Sequence, residues 1–564
     1  MGLLADLIRN LLRLLANLLA AAAGAPEYVV LDLAGSYPER RTPRRLFSLR
    51  GMVPLDGQPE ESLEDLRETL ERLTRAPGVR GVVVRIGELG GGSATVQRLR
   101  DALLAARRGG RRVIAYLTTV ALPHYYLATA ADEIILPESA SLGITGPRVE
   151  ITFLRGAFDR LGITPDFDSI AEYKTAADPF RRSTMSETHR EMVNWLLDSV
   201  LGQILEDTAA ARGIPAETLR SLIDRAPLTA AEALEAKLVD AVLYEDELPA
   251  HLGTARRPAR LVPWPQARRR IPIPYEWRSA QDVIAVVTLR GAIVPGESRE
   301  FPARLPFLGR ALAGAATIAR AFRALERMRR VRAVIFVVDS PGGSALGSDL
   351  IWREVERVKR ERPVVVFMGD VAGSGGYYVS CGAHRIIASP STITGSIGVV
   401  EGKLVLADLT ERHGLHREVL ARGATATIPS GFTRFSDGEW ERLRAEMGDV
   451  YDRFKRRVTE GRRRSEPEIE AIARGRVWTG RQALERGLVD ELGDFALAVR
   501  RARELARIPE DRAVTVATIR PPRAAPSPTF APAAALTEAM AALHQIRALA
   551  EERTLLLMME ASAP

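Results

Sequence analysis

Apolar and polar residues alternate along the chain in blocks that predict strands and helices in turn. Residues 334–339 and 364–368 are continuous apolar runs of strand length, and 347–362 between them has apolar residues at helical spacing. A strand, a helix and a second strand in that order indicate a parallel βαβ unit. Two further strands, each ending in glycine, are predicted over 28–35 and 283–291. The pattern therefore predicts an α/β protein.

The same pattern occurs twice, with matching segments about 250 positions apart. Val-Arg-Gly-Val-Val-Val at 79–84 matches Val-Arg-Ala-Val-Ile-Phe at 331–336. Leu-Glu-Ala-Lys-Leu-Val-Asp at 234–240 matches Leu-Glu-Arg-Gly-Leu-Val-Asp at 484–490. A repeat of this length is a duplicated domain and not a solenoid unit. The chain is therefore predicted to contain two related domains.

Proline-rich segments indicate where these domains begin and end. Prolines and arginines are concentrated in 255–280, which we interpret as the linker between an N-terminal repeat at 27–254 and a C-terminal repeat at 281–510. The segment 511–564 is predicted to be a second Pro/Ala-rich linker that leads into an amphipathic helix over about 536–551.

Residues 1–26 are predicted to form an amphipathic or membrane-anchoring helix. Within the apolar stretch 3–23, polar residues recur at helical spacing and so share one helix face: Asp6, Arg9, Asn10, Arg13 and Asn17. A helix that spans a membrane would not carry this stripe, whereas one that lies on a membrane would, with Arg9 and Arg13 near the headgroups. A cleaved signal peptide is the alternative interpretation, because basic residues precede an apolar, alanine-rich end.

Composition argues against several kinds of site. The net charge is +8, but the 79 Lys and Arg residues are spread among 71 Asp and Glu, so we predict no nucleic-acid binding. A single cysteine, Cys381, excludes an internal disulfide and a cysteine-based metal cage. The seven histidines have no metal-ligand spacing, so we predict neither a metal nor another cofactor.

Lysine is rare in this chain, and one lysine has a setting that suggests chemistry. Only five of the 79 basic residues are lysines: Lys174, Lys237, Lys359, Lys403 and Lys455. A desolvated lysine can lose its proton and an arginine cannot, so Lys174, between Tyr173 and Thr175, is a candidate general base. That role requires Glu172 and Asp178 to point away from the amine, because a carboxylate would stabilise the ammonium. The alternative is a surface lysine on a loop.

Three short polar segments follow predicted strands in the second repeat. Gly373-Ser374-Gly375-Gly376 places a serine at the start of a helical stretch, where free N–H groups favour developing negative charge. Ser340-Pro341-Gly342-Gly343-Ser344 predicts an anion-binding turn, and Thr394-Gly395-Ser396 supplies hydroxyls for a polar network. Taken singly, these segments are also typical of a helix N-cap or a turn.

The two repeats have lost complementary residues. Ser374 aligns with the first copy's Leu122-Pro123-His124, and Lys174 aligns with about Ala424 in the second copy. A serine hydroxyl is a poor nucleophile without a base. The second repeat has kept the serine, and the first repeat has kept the lysine that could act as its base. This distribution predicts one active site that takes residues from both repeats.

Together these motifs resemble the signal peptide peptidase A (protease IV) family in its long, duplicated bacterial form. The resemblance implies two tandem domains of the crotonase/ClpP-like fold, a βαβ spiral, and a serine protease with a Ser/Lys dyad. It implies that Ser374 is the nucleophile, Lys174 the general base and Ser396 a hydroxyl that orients the lysine. It also implies an oxyanion hole of backbone N–H groups from Gly343 and Gly375, with Gly342 as a further donor.

The same resemblance implies the partners and the location. Peptide substrates are expected, in particular cleaved signal peptides, together with a membrane surface and a homo-oligomer, a tetramer in the family. The expected location is the bacterial inner membrane, with the catalytic domains in the periplasm.

Two other functions stay open from the residues alone. An α/β-hydrolase esterase would use Ser374 in an approximate nucleophile elbow, with His413 or His416 and an acid completing a triad. A crotonase-like acyl-CoA-binding protein would use the glycine nest without a nucleophile. The esterase does not account for the duplication or for the complementary losses, and Ser374 within its glycine nest argues against the acyl-CoA-binding protein.

Overall fold

A computed structural model of the chain describes residues 2–41, 61–277, 281–305, 309–519 and 554–557. The helix predicted over 536–551 lies outside these residues. The strands, in chain order, are β1 (Tyr28–Ser36), β2 (Gly81–Gly90), β3 (Arg112–Leu117), β4 (Glu133–Leu136), β5 (Ser141–Leu142), β6 (Thr164–Ile170), β7 (Leu228–Thr229), β8 (Ala241–Val242), β9 (Leu261–Pro263), β10 (Asp282–Arg290), β11 (Ala292–Val294), β12 (Arg299–Leu305), β13 (Gly309–Gly314), β14 (Val331–Ser340), β15 (Gly342–Ser344), β16 (Val364–Gly373), β17 (Arg385–Ala388), β18 (Ile393–Gly395), β19 (Val399–Val405), β20 (Val477–Thr479), β21 (Glu491–Leu492), β22 (Val514–Thr518) and β23 (Thr554–Leu557).

The α-helices of the described residues are numbered in the same way. They are α1 (Gly2–Ala23), α2 (Leu63–Arg75), α3 (Ser93–Arg108), α4 (Leu122–Ala128), α5 (Arg155–Leu161), α6 (Asp178–Arg181), α7 (Glu187–Arg212), α8 (Ala216–Arg225), α9 (Ala230–Glu235), α10 (Leu248–Leu252), α11 (Trp264–Ala267), α12 (Ala315–Glu326), α13 (Ala345–Lys359), α14 (Gly375–Ser380), α15 (Ala407–Arg412), α16 (Asp437–Arg462), α17 (Glu466–Ile472), α18 (Gly480–Glu485) and α19 (Phe495–Leu505).

The chain folds into two compact units whose limits differ from those of the sequence repeats. The first unit consists of Met1–Pro147 and Val200–Gln281, and the second of Arg148–Ser199 and Asp282–Pro564. The second unit therefore includes a segment that the sequence assigns to the N-terminal repeat, and this segment carries Lys174. The repeat limits stay a prediction about the duplication, because compactness divides the chain at different places.

The first unit is built on a six-stranded sheet in the order β8-β4-β3-β2-β1-β9, in which each pair of neighbours is parallel. Val82, Val83 and Val84 in β2 are buried, as expected for a parallel strand covered on both faces. β9 comes from the segment predicted as linker. It pairs with β1 because it offers an apolar residue, Val262, that is buried there.

The second unit contains two larger sheets. Eight strands form the first, in the order β20-β18-β16-β14-β10-β22, with β17 beside β16 and β21 beside β17. The neighbours β10, β14, β16 and β18 are parallel, so their carboxyl ends meet at one edge. Seven strands form the second sheet, in the order β12-β13-β11-β15-β23-β19-β6. Ser340, Gly373 and Gly395 end β14, β16 and β18 at the shared edge.

Both units contain the same buried contact at matching positions. In the first unit the Tyr125 hydroxyl donates to the Leu238 carbonyl at 2.9 Å. In the second unit the Tyr377 hydroxyl donates to the Leu488 carbonyl, also at 2.9 Å. Both tyrosines are at most 1% exposed, so each hydroxyl satisfies a carbonyl that water does not reach. The predicted α/β fold is confirmed, and the repeated contact agrees with a duplication.

Helix α1 uses its polar stripe to bind the first unit. The Asn10 side-chain amide donates to the Glu276 carbonyl and accepts from the Glu276 N–H, both at 3.0 Å. Asn17 makes the same pair of bonds with Ile273, at 3.0 and 2.7 Å. Arg13 forms an ion pair with Glu276 at 3.4 Å. The sequence-based expectation that the stripe faces lipid headgroups is thus not matched, because backbone groups of 273–276 occupy it.

The apolar face of α1 is left exposed as a consequence. Its large aliphatic side chains are 43–73% exposed: Leu3, Leu4, Leu7, Ile8, Leu11, Leu12, Leu14, Leu15, Leu18 and Leu19. A contiguous apolar surface of this kind is typical of a contact with a membrane or another protein. Among the described residues, the structure has no helix with the length and apolar content needed to cross a membrane.

Candidate active site

Three polar side chains that the sequence places far apart meet inside the second unit. Lys174 Nζ lies 2.7 Å from Ser374 Oγ, 3.0 Å from Ser396 Oγ and 3.1 Å from the Ser396 carbonyl oxygen. Ser374 is fully buried, and Lys174 and Ser396 are each 2% exposed. The structure therefore brings a hydroxyl and an amine within proton-transfer distance, shielded from bulk water.

Ser374 connects β16 to α14 with a backbone that few residues other than glycine adopt. Its φ is +51° and its ψ is −113°, and its N–H donates to the Gly395 carbonyl at 2.8 Å. Its hydroxyl makes no capping bond to the helix. The alternative interpretation of Ser374 as an ordinary N-cap is therefore wrong. The strained turn instead directs the hydroxyl to Lys174.

Lys174 is held by a tight turn that follows β6. Its N–H donates to the Ala171 carbonyl at 3.1 Å, and the preceding N–H, of Tyr173, donates to the Arg474 carbonyl at 3.2 Å. Burial lowers the pKa of Lys174 well below its usual value, because an ammonium cannot be solvated there. The amine is thus biased toward its neutral form, which can accept a proton.

The two nearby carboxylates point elsewhere, as that role requires. Glu172 pairs with Arg474 at 2.9 Å, and a second guanidinium, of Arg476, lies 3.8 Å from it. Asp178 accepts from the Ser186 hydroxyl at 2.9 Å and lies 3.6 Å from the Arg181 guanidinium. Neither carboxylate contributes to the pKa shift of the lysine, for which burial is the cause.

Ser396 supplies two of the three polar contacts of the lysine amine. It lies between β18 and β19 with φ +55°, and its N–H donates to the Arg476 carbonyl at 2.7 Å. A neutral amine has two N–H donors and one lone pair. The Ser396 carbonyl can only accept, so it takes one N–H, and a second N–H to Ser396 Oγ leaves the lone pair directed at Ser374. Ser396 can therefore set the orientation of a general base.

The three predicted N–H donors of the oxyanion hole differ in whether they already have a hydrogen-bond partner. The Gly342 N–H already donates to Ser340 Oγ at 3.1 Å, and that hydroxyl donates to the Gly291 carbonyl at 2.7 Å. Gly375 is the first residue of α14, so its N–H has no partner within the helix. Gly343 has φ +143° and is packed against the backbone of Ile293. Gly375 is thus the better candidate, whereas Gly343 lies within β15 opposite Ile293 on one side and Leu556 on the other.

Two glycines to which the sequence analysis gave no role shape the lysine's position. A Cβ at Gly475 would lie 2.3 Å from the Lys174 backbone nitrogen, and φ at this residue is +79°. A Cβ at Gly398 would lie 3.1 Å from Lys174 Cδ. Both glycines come from the second repeat, far from Lys174 in sequence. No local sequence signal marks Gly475, whereas Gly398 ends the segment Thr-Gly-Ser-Ile-Gly at 394–398.

The histidines of the triad alternative lie elsewhere. His413 is exposed and its Nδ1 lies 2.8 Å from the Leu409 carbonyl, and His416 is exposed as well. The amine of Lys174 occupies the position beside Ser374 Oγ that a triad histidine would need. The geometry therefore favours a lysine-assisted nucleophile.

Comparisons with known proteins agree with the duplication and indicate a serine protease. The family model described as Peptidase family S49 matches residues 105–256 and again residues 356–509. The chain is 31% identical over 470 residues to "Serine protease SPPA, chloroplastic" of Arabidopsis thaliana, which covers 82% of this chain and 68% of that protein. It is 32% identical over 454 residues to "Protease 4" of Haemophilus influenzae, covering 78% and 72%. A shorter match, 34% over 170 residues, covers 30% of this chain and 49% of the "Putative signal peptide peptidase SppA" of Enterococcus faecium.

Gly475→Ala should disable the site without a change in any of its three polar side chains. The new Cβ would collide with the Lys174 backbone and strain φ, which moves the amine away from Ser374. We expect kcat/KM for peptide hydrolysis to fall by roughly 100-fold, as for a displacement of about 1 Å.

Gly448→Ala is the matched control, because a Cβ at Gly448 in α16 meets no atom within 4 Å. It should keep both the wild-type kcat/KM and the wild-type melting temperature. Wild-type kcat/KM in Gly475→Ala would contradict the idea that this contact positions the lysine.

Proposed function

The chain belongs to peptidase family S49 and is a serine protease, and we propose that Ser374 is its nucleophile and Lys174 its general base. The observation that carries the proposal is the 2.7 Å contact between Lys174 Nζ and Ser374 Oγ, two groups whose side chains are almost fully buried. A serine hydroxyl needs a neighbouring base, and a lysine can act as one when burial lowers its pKa.

In the first half of the proposed reaction, Ser374 Oγ attacks the carbonyl carbon of a peptide bond while its proton passes to Lys174 Nζ. The carbonyl oxygen becomes an oxyanion, which the N–H groups of Gly343 and Gly375 would stabilise. When the intermediate collapses, the C–N bond breaks and Lys174 returns the proton to the leaving amine. Ser374 then carries the acyl group as an ester.

In the second half, Lys174 takes a proton from a water molecule that attacks the ester carbonyl. When the second intermediate collapses, the bond between its carbon and Ser374 Oγ breaks, the carboxylic acid is released and Lys174 returns the proton to Ser374 Oγ. The lysine is then neutral again at the end of the cycle. Ser396 would keep the amine oriented through both halves, because it contacts the amine with its hydroxyl and its carbonyl.

We infer that the substrates are apolar peptides, with cleaved signal peptides as the physiological class. A relative from Enterococcus faecium carries the name of a putative signal peptide peptidase. The exposed apolar face of α1 supports the same inference, since an enzyme held at a bilayer meets such peptides where they are released. The proposal includes the periplasmic face of a bacterial inner membrane as the location.

The membrane contact would be made by leucines and not by arginines. Arg13 is paired with Glu276, and Arg9 is paired with Asp6 at 2.7 Å, so neither guanidinium is free to bind headgroups. The outward face of α1 is aliphatic and can enter the boundary between headgroups and acyl chains. Binding should therefore depend only weakly on salt and on anionic lipid.

Substitution of either member of the proposed pair should abolish hydrolysis of an apolar peptide. Ser374→Ala and Lys174→Ala should each lower kcat/KM by roughly 10⁴-fold or more. Lys174→Arg should be as inactive, because a guanidinium cannot accept the proton. Initial rates with a fluorogenic apolar peptide measure all three.

Lys359→Arg is the control for a charge-conserving lysine change, because Lys359 pairs with Glu356 on α13 and an arginine can do the same. It should keep the wild-type rate, as should His413→Ala and His416→Ala. A Lys174→Arg enzyme with wild-type activity would exclude lysine as the base.

Charges on the outward face of α1 should release the protein from vesicles. Ile8 and Leu15 are each 53% exposed and lie two turns apart on this face. Ile8→Asp with Leu15→Asp should reduce co-sedimentation with phosphatidylcholine vesicles to near background, whereas hydrolysis of a soluble peptide should continue.

Leu420→Asp is the matched control, since Leu420 is 91% exposed outside α1, and it should bind vesicles as the wild type does. Undiminished binding by the α1 variant would exclude this helix as the membrane contact. If the variant instead dissociates from an oligomer in the absence of lipid, the face is an interface between copies.

A further inference from the structure

A polar cavity lies beside the proposed general base, in the segment that follows β6. Its volume is about 350 Å³, near the lower end of the range for small-ligand sites, which is about 300–1,000 Å³. Lys174 is part of its wall, and the other charged residues of the wall are Glu172, Asp178, Arg181 and Arg182. All of them belong to the second unit. The cavity therefore has room for a short piece of peptide next to the lysine.

One charge in this wall lacks a counter-ion. Glu172 is held by a guanidinium 2.9 Å away, and the Arg181 guanidinium lies 3.6 Å from Asp178. Arg182 is exposed, and its guanidinium has no ion pair or hydrogen bond with any residue that the structure describes. Because burial biases the lysine toward its neutral form, Arg182 is the group of the wall that can attract a charged ligand. A guanidinium binds carboxylates best, through paired hydrogen bonds.

The place of the cavity beside the lysine indicates which part of a peptide would enter it. In the proposed reaction Lys174 returns a proton to the leaving amine, so this nitrogen must come within hydrogen-bond distance of Nζ. The residues that follow the leaving nitrogen form the C-terminal fragment of the substrate. A cavity with Lys174 in its wall is therefore a candidate site for residues on the C-terminal side of the scissile bond.

The distance between Lys174 and Arg182 limits the length of this fragment. The chain between them is helical, with a 3₁₀ turn at Thr175–Ala177 followed by α6, and the Arg182 N–H donates to the Asp178 carbonyl at 2.9 Å. At about 1.5 Å per residue, the two positions are roughly 12 Å apart. An extended peptide advances about 3.3 Å per residue. A carboxylate roughly two to four residues beyond the scissile bond would therefore reach the guanidinium.

A cation is also needed if an anion is to enter this cavity without disabling the base. A lone carboxylate beside Lys174 would stabilise the ammonium form, which cannot accept a proton. A carboxylate bound to Arg182 is part of a neutral pair, so its effect on the amine is small. The arginine thus satisfies the same constraint that keeps Glu172 paired with Arg474.

We propose that Arg182 binds the carboxylate at the C-terminal end of the substrate and that this cavity holds the last few residues of the peptide. The inference rests on the proposed function of Ser374 and Lys174. Release of a signal peptide from its precursor creates a C-terminal carboxylate, which the uncut precursor lacks at that position. Recognition by Arg182 therefore favours peptides that have already been cut, and places the scissile bond roughly two to four residues from their end.

Binding to the Ser374→Ala variant tests the inference without hydrolysis. Fluorescent apolar peptides of one sequence are compared as the C-terminal acid, as the C-terminal amide, and as an amide whose last residue is aspartate. The acid should bind about fivefold more tightly than the plain amide, as for a charge pair that water still reaches. Addition of Arg182→Gln should remove this difference and leave the affinity for the plain amide unchanged.

Arg190→Gln is the matched control. Arg190 on α7 is also exposed and has no ion pair with a described residue, but it does not line the cavity. This variant should keep the preference for the acid. Equal affinity for acid and amide, or a preference that survives Arg182→Gln, would overturn the inference. If Arg182→Gln instead weakens only the aspartate amide, the cavity binds an acidic side chain and the assignment to the C-terminus is wrong.

Hydrolysis by the wild type separates this inference from the proposed function. Mass spectrometry should show that the acid peptide loses roughly two to four residues from its C-terminal end. Hydrolysis that does not depend on Ser374 would overturn the proposed function, whereas the binding preference is measured without hydrolysis and would still stand. Ser374-dependent hydrolysis with the same kcat/KM for acid and amide would leave the proposed function standing and overturn the role of Arg182.

Discussion

A neutral lysine beside a serine must be kept from water and from carboxylates, and much of the second unit is arranged around that constraint. At an effective dielectric of about 20, a carboxylate 4 Å away would stabilise the ammonium by about 4 kcal/mol, or roughly three pKa units. Glu172 is close enough in sequence to have that effect, and Arg474 holds it away. Lys455 shows the opposite arrangement: burial by itself would lower its pKa, but the ammonium donates hydrogen bonds to the carboxylates of Asp452, Glu470 and Glu466, which raise it.

The topology of the eight-stranded sheet in the second unit explains why the other groups of the site lie together at one edge of that sheet. Parallel strands place their carboxyl ends together, and the segments that follow β14, β16 and β18 supply Gly343, Ser374 and Ser396. Lys174 reaches the same place from β6, which joins the second sheet beside β19. The strands β15 and β19 both pair with β23.

Comparison of the two repeats was the most informative use of the sequence. Ser374 and Lys174 were identified because each repeat lacks what the other has, and the motif around Ser396 added the third side chain. Gly475 could not be found in this way, because its effect depends on a contact with the Lys174 backbone and not on its own neighbours. Sequence also could not order the oxyanion candidates, since the competitor for the Gly342 N–H is the hydroxyl of Ser340.

Helix α1 shows a second feature that a hydrophobic pattern cannot predict, namely which face of a helix is turned to solvent. The stripe with Asn10 and Asn17 correctly indicated a helix with one polar face, and α1 spans Gly2–Ala23. Periodicity separates two faces but does not say which one meets solvent. Here the asparagines bind exposed backbone groups at Ile273 and Glu276, which turns the apolar face outward. Likewise, the apolar run that begins at Leu555 gave no sign that Thr554–Leu557 would pair with strands more than 150 residues away.

Titration of the Lys174 amine tests the central claim most directly. With five lysines in the chain, side-chain NMR of a lysine-labelled protein gives few signals, and Lys174→Arg identifies the one that matters. We predict that Lys174 titrates well below its usual value and Lys455 above it. Because the ammonium cannot accept a proton, kcat/KM should rise with pH through the Lys174 pKa and then level off. A Lys174 pKa near the ordinary value of about 10.4, in an enzyme already at full rate near neutrality, would contradict the account.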